Sequence, residues 1–358
     1  MSIAPLHTWL KSESEPLIIS GPCGAESLEQ LRLTAQGLKQ LDRISLFRAG
    51  IWKPRTRPDS FEGRGEMALE WLNEIKKEFG FKTTVEVANA QHIEAALKHG
   101  VDVLWIGART TVNPFTVQEI ADALKGTDTP VLIKNPIHAD INLWIGAIER
   151  FLKNDLNKIA AIHRGFHLYG KTKYRNEPLW QIPLELKTHF PEISIFCDPS
   201  HIGGSRSFLQ EISQKALDLG MNGLMIESHY DPSIALSDAS QQLTPAELGK
   251  MLSELKLRKQ STPNIATADE LSRLRDLIDE IDEELIDVIR KRTNVIEQIG
   301  HFKKDHQVTI FQLERWQEIL RTRAGQARKL GLSSSHIEKI CQLLHEESIR
   351  IQNEIMNK

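Results

Sequence analysis

The stretch from Leu17 to Ser27 reads LIISGPCGAES, a short apolar run that leads directly into a turn carrying a cysteine and a glutamate. Runs of the same kind recur along the chain and are separated by segments of helix length. We interpret eight of them as strands, at 17–20, 46–49, 84–87, 103–106, 131–134, 160–163, 193–197 and 223–227. They are continuously apolar rather than alternating, which is typical of parallel strands buried on both faces.

The segments between these runs carry apolar residues at helical spacing, for example at 27–41, 64–79, 92–99 and 207–219. Eight successive β-then-α units predict an α/β fold, namely a (β/α)8 TIM barrel formed by residues 1–256. A doubly wound open sheet is the structural alternative, because it is built from the same repeating units.

Composition excludes several classes of protein. The net charge of −3 over 358 residues gives no reason to expect a nucleic acid or a membrane surface as partner. No apolar stretch approaches the roughly 20 residues of a membrane span, and residues 1–15 lack the pattern of a secretory signal. Three widely spaced cysteines, Cys23, Cys197 and Cys341, predict no disulfide framework. We therefore expect a cytoplasmic protein.

The pattern changes after residue 256. A polar segment at 257–266, which contains Pro263, predicts a linker. Thr267 is expected to begin a helix of unusual length, with Glu270 completing a capping box and an apolar stripe that continues to Lys304.

Two shorter helices are expected at 312–329 and 335–356, the second with a capping box formed by Ser335 and Glu338. Three helices of such unequal length do not make a compact bundle within one chain. Residues 267–358 are therefore expected to form an all-α domain that makes a homodimer, or a higher homo-oligomer, by pairing its long helices.

Charged residues follow nearly every predicted strand of the barrel. In a (β/α)8 barrel these positions lie together at the C-terminal mouth, where active sites are built. Because charges are costly to bury, six cations converging there indicate anionic ligands such as phosphates and carboxylates. The six are Arg48, Lys53, Arg55, Arg109, Lys134 and Arg164.

Four other residues at strand ends could bind a metal: Cys23, His201, Glu227 and Asp238. A thiolate, an imidazole and two carboxylates suit a divalent transition metal such as manganese, iron, cobalt or zinc. Their spacing is too wide for a local metal motif, so only the barrel would bring them together. Taken singly, each is equally compatible with a structural role.

Six ordered motifs resemble those of type I 3-deoxy-D-arabino-heptulosonate 7-phosphate synthase, most closely its short beta subtype, over about residues 17–252. They are GPCGAES at 21–27, KPRT at 53–56, GAR at 107–109, KN at 134–135, DPSH at 198–201 and ESH at 227–229. The related 3-deoxy-manno-octulosonate 8-phosphate synthases also begin with Gly-Pro-Cys but lack KPRT. Such a barrel, joined to a non-catalytic helical dimerisation module, is the alternative.

The resemblance implies a site for each ligand. A divalent metal, with manganese as the first expectation, would bind Cys23, His201, Glu227 and Asp238. The carboxylate of phosphoenolpyruvate would lie near Arg48, Lys53 and Lys134, and its phosphate near Ala108, Arg109 and Arg164. The phosphate of erythrose 4-phosphate would lie at Arg55 and Thr56. Either Lys134 or His201 would assist proton transfer. Where some members of the subtype have Arg-Gly, this chain has Asn135 and Pro136.

The C-terminal region resembles the all-helical class of chorismate mutase over about residues 267–356. That family's functional positions fall on Arg275, Arg292, Lys303, Arg315, Ser348 and Gln352, with Gln312 at a further substrate contact. Helical spacing supports this independently, because Arg292 occupies an apolar stripe position and Lys303 lies three turns further on the same face. Arg275 lies near the opposite face, so it would serve the partner's pocket in a dimer.

Two positions depart from the mutase pattern. Gln312 and Trp316 stand where the family often has Asp and Glu near the substrate hydroxyl, and an indole offers only one N–H. A polar residue in a helical stripe can also serve only to fix register or oligomeric state. Because the first strand begins near Leu17, we expect no preceding regulatory domain. We expect the mutase domain to control the synthase by docking when chorismate or prephenate binds.

Overall fold

Two compact units make up the chain, Met1–Gln260 and Ser261–Lys358. The structure is a computed structural model and describes residues 2–10, 16–54, 60–170, 172–258 and 265–357, with side chains in the last range from residue 270 onward. Each unit is described by itself below.

The first unit contains eight parallel strands that close into a barrel in sequence order, with β1 paired to β8. The strands are β1 Leu17–Gly21, β2 Ile44–Ala49, β3 Thr83–Val87, β4 Val103–Ile106, β5 Val131–Lys134, β6 Ile159–His163, β7 Ser194–Cys197 and β8 Gly223–Glu227. Every predicted strand is present within two residues of its expected ends. The predicted (β/α)8 barrel is confirmed, and the doubly wound sheet is excluded because the sheet has no open edge.

Helices cover the outside of the barrel, and two short ones lie at the C-terminal ends of β4 and β7. They are α1 Leu28–Lys39, α2 Met67–Phe79, α3 Ala90–Lys98, α4 Ala108–Thr111, α5 Pro114–Ala123, α6 Ile141–Lys153, α7 Gln181–His189, α8 Pro199–Gly203, α9 Leu209–Asp218 and α10 Pro245–Glu254. The two short ones are α4, after β4, and α8, after β7. Several begin with a side-chain cap that the sequence encodes locally. Ser27 accepts a hydrogen bond from Gln30 N before α1, and Thr244 and Glu247 form a capping box at α10.

The barrel core has two layers, because successive strand residues point to opposite faces of the sheet. One set of strand residues, such as Ile18 and Leu104, packs against the surrounding helices. The alternate set, which includes Ile19 and Trp105, fills the barrel interior. Both sets are apolar, so the strands show no alternation in sequence. The N-terminal segment adds Trp9 to the interior cluster and thereby covers the end of the barrel opposite the mouth.

The second unit consists of three helices, α11 Ile265–Asp305, α12 Leu313–Lys329 and α13 Ser334–Met356. The predicted capping boxes are both wrong. The helix α11 begins two residues before Thr267, so this residue lies inside the first turn. The cap of α13 is Ser333, which accepts a hydrogen bond from His336 N, because the chain becomes helical one residue earlier than expected.

The helix α11 is 41 residues long, and much of it packs against neither α12 nor α13. Five apolar side chains of its stripe are between 45% and 61% exposed: Leu274, Ile278, Ile281, Leu285 and Val288. Among the described residues, no helix is both long enough and apolar enough to cross a bilayer.

Candidate active sites

Ionisable side chains replace apolar ones where the barrel interior reaches its C-terminal mouth. In several strands the last interior apolar residue is followed, two positions later on the same face, by an ionisable residue. Leu46 precedes Arg48 in this way, Leu132 precedes Lys134, Ile162 precedes Arg164, Phe196 precedes Asp198 and Met225 precedes Glu227. The alternation of the strands therefore aims these side chains at one space above the apolar interior.

Two ion pairs cross this space and are buried. Arg48 Nη2 lies 3.2 Å from Glu227 Oε1, which joins β2 to β8, and Lys134 Nζ donates to Asp198 Oδ2 at 2.8 Å, which joins β5 to β7. Trp105 forms the floor beneath both cations, with Arg48 5.0 Å and Lys134 5.9 Å from its ring centroid. Ring and carboxylates together compensate for the desolvation of the two cations.

The turn after β1 brings the predicted cysteine to the same place. Gly21 has a φ of +148°, and a Cβ atom there would lie only 2.1 Å from the carbonyl oxygen of Arg48, so no side chain fits. The turn can therefore pass close to β2. Cys23 is buried and donates from Sγ to Asp238 Oδ2 at 3.2 Å, and Lys53 Nζ donates to Cys23 Sγ at 2.7 Å.

Asp198 organises the end of β7 with both carboxylate oxygens. Its Oδ1 accepts a hydrogen bond from His201 N and caps the short helix α8, in which Pro199 occupies the first position. Its Oδ2 accepts from Lys134 and lies 2.8 Å from His201 Nδ1, so it orients the imidazole. The opposite nitrogen, Nε2, lies 3.9 Å from Glu227 Oε1.

The mouth shifts the ionisation of these groups in opposite directions. Burial, followed by the charge of Glu227, raises the pKa of Cys23 to about 12. Burial opposes ionisation of Asp198 as well, but His201 and Lys134 outweigh it and hold the pKa of that carboxyl well below its usual range. The pKa of Asp238 is likewise lowered, against the effect of burial, by its hydrogen bond and ion pair with Arg175. Ionised carboxylates therefore face a protonated thiol.

The four predicted metal donors lie in this mouth as two close pairs, Cys23 with Asp238 and His201 with Glu227. Within the described residues, no three His, Cys, Asp or Glu side chains form one metal-binding group. The donor chemistry nevertheless fits a divalent transition metal. Glu227 Oε1 is buried and faces Arg48 Nη2 at 3.2 Å, but it accepts no hydrogen bond from the described residues, so it retains lone-pair capacity for a metal ion.

The predicted anion-binding residues adjoin the donors. Arg48 has two buried nitrogens, Nε and Nη1, for which the described part of the chain provides no hydrogen-bond acceptor. Arg164 is surrounded by the charges of Asp198, Arg175 and Arg109, and burial lowers its pKa to about 10. Arg109 follows Ala108, the first residue of α4, and Thr111 of this helix donates to Lys134 O at 2.9 Å. Arg55 and Thr56 lie outside the described residues.

Sequence reasoning missed several residues of this mouth. Asp198 was quoted in a motif without a role, although an Asp-Pro pair that starts a helix at a strand end was a usable signal. Trp105 could not be recognised, because one interior aromatic residue resembles any other core residue. Arg175 and Gln241 also went unnoticed. Both lie in loops, and Arg175 Nη1 donates to Asp238 Oδ1 and to Gln241 Oε1, each at 2.9 Å.

The second unit gathers polar residues on the packed faces of α11 and α13. Lys303, Ser348 and Gln352 are 8% exposed or less. Gln352 Nε2 donates to Ser348 O at 3.0 Å, while its Oε1 is buried without a hydrogen-bond donor among the described residues. Arg292 lies half-buried on α11, and together with Lys303 it lowers the pKa of His345, although burial of that imidazole is the larger cause.

The other predicted mutase residues lie on α11 and at the start of α12. Arg275 is exposed on α11, 17 residues before Arg292, a separation of about 25 Å along a helix. Arg315 forms an exposed ion pair with Glu318 at 2.7 Å, and Gln312 precedes α12 without capping it through its side chain. Trp316 stacks on His345 with ring centroids 4.2 Å apart. The indole is thus a packing partner of α13.

A closed barrel whose C-terminal mouth gathers buried cations and candidate metal donors is typical of (β/α)8 enzymes. The chain belongs to the DAHP synthetase I family, whose profile matches residues 8–262; DAHP is 3-deoxy-D-arabino-heptulosonate 7-phosphate. Residues 274–353 match the family described as Chorismate mutase type II. Both predicted families are confirmed, and the chain combines a transferase with an isomerase.

Relatives of known name match the barrel. A phospho-2-dehydro-3-deoxyheptonate aldolase of Thermotoga maritima is 31% identical over 240 residues, which covers 67% of this chain and 68% of that protein. A 2-dehydro-3-deoxyphosphooctonate aldolase of Helicobacter pylori is 30% identical, covering 67% and 94%. The crystal structure of the Thermotoga maritima DAHP synthase superposes with a TM-score of 0.60 at 29% identity, covering 66% of this chain and 67% of that one.

His163, at the end of β6, gives the barrel a measurable pH dependence. Its ring lies 5.8 Å from that of Phe166 and 5.2 Å from that of Trp180, and burial, followed by the charge of Arg164, lowers its pKa from 6.5 to about 3. Between pH 6.5 and 3, His163 is therefore protonated in the unfolded state but not in the folded state. As the pH is lowered through this range, the free energy of unfolding should fall by up to about 1.4 kcal/mol per pH unit.

Urea unfolding of the chain at several pH values, followed by tryptophan fluorescence, measures this effect. The variant His163→Gln should show a shallower loss of stability than the wild type over that range. The matched variant at exposed His189, His189→Gln, should keep the wild-type slope. Parallel curves for the wild type and His163→Gln would show that His163 is not the titrating group.

Proposed function

We propose that the barrel condenses phosphoenolpyruvate with erythrose 4-phosphate to give DAHP, the first step of the shikimate pathway. The observation that carries the proposal is the buried guanidinium of Arg48, which pairs with Glu227 and has two nitrogens without an acceptor among the described residues, in the same barrel mouth as Cys23, His201 and Asp238. A buried cation with unused donors favours an anionic ligand, and a neighbouring set of S, N and O donors favours a metal.

We assign the groups of the two substrates by charge. The carboxylate of phosphoenolpyruvate fits the side of the mouth formed by Arg48, Lys53 and Lys134, and its phosphate fits Arg109 and Arg164. Arg55 and Thr56 are proposed for the phosphate of the sugar. Several fixed cations would hold the two anionic substrates with their reacting carbons adjacent. The reaction between two separate molecules then proceeds within one positioned complex, which lowers its entropic cost.

A divalent ion at Cys23, His201, Glu227 and Asp238, with manganese as our first choice, would supply Lewis acidity to the aldehyde oxygen. Carbon 3 of phosphoenolpyruvate attacks the aldehyde carbon, water adds at carbon 2, and phosphate leaves with cleavage of its C–O bond. His201 and Lys134 share the carboxylate of Asp198, so either can pass a proton through a group that is already oriented.

The purified full-length chain should consume phosphoenolpyruvate only when both erythrose 4-phosphate and a divalent metal are present. Removal of the metal with a chelator should abolish turnover, and manganese, iron, cobalt and zinc can then be added back in turn. The variant Cys23→Ala should reduce kcat/KM by about 100-fold or more, because it removes a proposed donor.

Cys197→Ala is the matched control, because this thiol is equally buried but belongs to β7 and lies in the apolar cluster between the strands and the surrounding helices. It should retain activity within a few-fold. Equal turnover of arabinose 5-phosphate would reassign the sugar to that of the octulosonate enzymes. Turnover that survives complete metal removal would contradict the proposal.

We propose that the helical unit rearranges chorismate to prephenate. Arg292, Lys303, Ser348 and Gln352 supply two cations and two hydrogen-bonding groups on facing helices, and the buried Oε1 of Gln352 still lacks a donor among the described residues. Cations that bind the two carboxylates and the ether oxygen of chorismate would favour its reactive conformation, and the rearrangement needs no covalent catalysis.

We propose further that two chains share these pockets in a homodimer. The apolar stripe of α11 is exposed over several turns, and pairing two such helices would bury it. Arg275 is about 25 Å from Arg292 along α11, so it cannot reach the pocket of its own helix. An antiparallel pairing would carry it to the partner's pocket.

Loss of chorismate absorbance measures the mutase directly. The variant Arg292→Met keeps the apolar stem but removes the charge, and should lower the rate by about 100- to 1000-fold. Arg290→Met is the control on the same helix, since Arg290 only makes an exposed ion pair with Asp287. Mixed Arg275→Met and Arg292→Met chains should regain activity, because each mixed dimer then contains one intact pocket.

The competing hypothesis of a non-catalytic dimerisation module predicts a different result. It requires a dimeric wild-type chain, measured by analytical ultracentrifugation, that leaves chorismate unchanged. A monomeric chain with full mutase activity would contradict the shared pocket but support catalysis. Mixed chains that stay inactive, despite exchange of subunits, would place Arg275 outside the pocket.

We propose that the helical unit also regulates the synthase by docking when its own ligand binds. Only about ten residues connect α10 to α11, and a short covalent connection raises the effective concentration of one unit for the other. A ligand that prefers the docked arrangement shifts the equilibrium toward it by at most the ratio of its affinities for the two arrangements, and synthase activity falls if the docked arrangement is the less active one.

Synthase rates should therefore fall when prephenate or chorismate is added at saturating concentration. A several-fold fall corresponds to about 1–3 kcal/mol of coupling. The Arg292→Met variant should lose this response while keeping its basal synthase rate, because its ligand no longer binds. A wild-type rate unaffected by either ligand would rule out the regulation.

A further inference from the structure

The two pairs of proposed metal donors are joined by a hydrogen-bond network outside them. Arg175, in the loop between β6 and α7, donates from Nη1 to Asp238 Oδ1 and to Gln241 Oε1. Gln241 is buried and donates from Nε2 to Glu227 Oε2 at 2.7 Å. One guanidinium therefore reaches one carboxylate directly and the other through a single amide.

We propose that Arg175 and Gln241 are positioning residues of the metal centre, which orient the carboxylates of Asp238 and Glu227 toward a shared divalent ion. This inference rests on the proposed metal-dependent synthase. Each carboxylate oxygen bound by the network is the one turned away from the other donors. Asp238 uses Oδ1 for Arg175 and Oδ2 for Cys23. Glu227 uses Oε2 for Gln241, while its Oε1 faces His201 and Arg48.

Packing and hydrogen bonds of the surrounding backbone fix the position of Arg175. Gly204 ends the helix α8 at a φ of +66°, and a Cβ atom there would lie 2.6 Å from the Cβ of Arg175, so the arginine stem packs closely on this helix end. The next residue, Asn176, donates from Nδ2 to His201 O at 2.7 Å and from its backbone N to Ile202 O. The segment thus contacts directly the elements that carry His201 and Asp238.

Asp238 also depends on an unusual backbone conformation. Its φ is +49°, in the left-handed region, which is uncommon for a residue other than glycine. The ion pair with Arg175 and the hydrogen bond from Cys23 fix its side chain in that conformation. A ligand residue held in a sparsely populated conformation needs external support, and Arg175 supplies it.

Whether removal of Arg175 raises or lowers the metal affinity distinguishes a positioning role from a simple electrostatic effect. A guanidinium near a cation site opposes cation binding, so removing its charge alone would tighten the binding of a metal. If Arg175 instead orients the donors, its removal weakens the binding despite the lost repulsion. Gln241 carries no charge, so a substitution there tests orientation alone.

The experiment measures Mn²⁺ binding to the full-length chain without substrates, by titration calorimetry and by the electron paramagnetic resonance spectrum of the bound ion. Arg175→Met and Gln241→Met should each weaken binding by about 10-fold or more, the range expected when groups that orient metal ligands are removed. The spectrum of the remaining bound ion should also change, because the arrangement of its ligands changes.

Lys173→Met is the matched control. This residue lies two positions before Arg175 in the same loop, and its ammonium group pairs with Glu211 rather than with a donor. It should leave the Mn²⁺ affinity unchanged. Circular dichroism verifies that all three variants fold.

Three results would overturn the proposal. Tighter binding of Mn²⁺ by the Arg175→Met variant would show that Arg175 has a purely electrostatic effect. Unchanged Mn²⁺ affinity in both variants, with a raised KM for the sugar phosphate, would make Arg175 a substrate ligand. In either case the wild type still binds the ion, so the proposed synthase stands. A wild type that binds no Mn²⁺ would remove both proposals together.

Discussion

The burial of opposite charges at one end of an otherwise apolar barrel is the constraint on which the synthase unit depends. Arg48 with Glu227 and Lys134 with Asp198 lie where water is excluded, so each charge requires a partner at close range. Each pair joins strands that are not adjacent in the barrel. The Arg48–Glu227 pair spans β1 and therefore needs the pairing of β8 with β1 that closes the barrel, and a shift in strand register would separate either pair.

This constraint also explains why the mouth suits catalysis. The charges of His201 and Lys134 keep Asp198 ionised against the effect of burial, whereas burial itself keeps the thiol of Cys23 protonated. The compensation is incomplete, since Arg48 and Glu227 retain buried atoms that make no hydrogen bond with the described residues. Buried polar atoms without hydrogen bonds destabilise the folded state. The same atoms can bind an anion or a cation.

The helical unit uses a different principle. In the barrel the polar residues follow the strands, whereas in the helical unit they replace apolar residues on the faces where α13 packs on α11. The half-buried Arg292 and the buried Lys303, Ser348 and Gln352 would weaken this packing if they served stability only. The exposed stripe of α11 shows that three helices of one chain cover only part of its apolar surface.

The sequence by itself determined where the strands and most helices lie, because apolar runs, helical spacing and caps such as Ser27 are local properties. It also determined that cations, a cysteine and acidic residues follow the strands, and motif likeness then identified both families. It did not determine the starts of α11 and α13; at α13 three successive serines compete to cap the helix, and Ser333 does so. It could not separate interior from exterior strand residues, because both faces are apolar.

Only the tertiary structure decided which charges meet. Asp198 is shared by Lys134, 64 residues away, and by His201 in its own helix, while Arg175 reaches Asp238 over 63 residues. Such pairings depend on barrel closure and on the exact loop paths between strands, and neither leaves a periodic trace in the sequence. Local chemistry therefore fixes which residues are available at the mouth, and closure of the sheet fixes their partners.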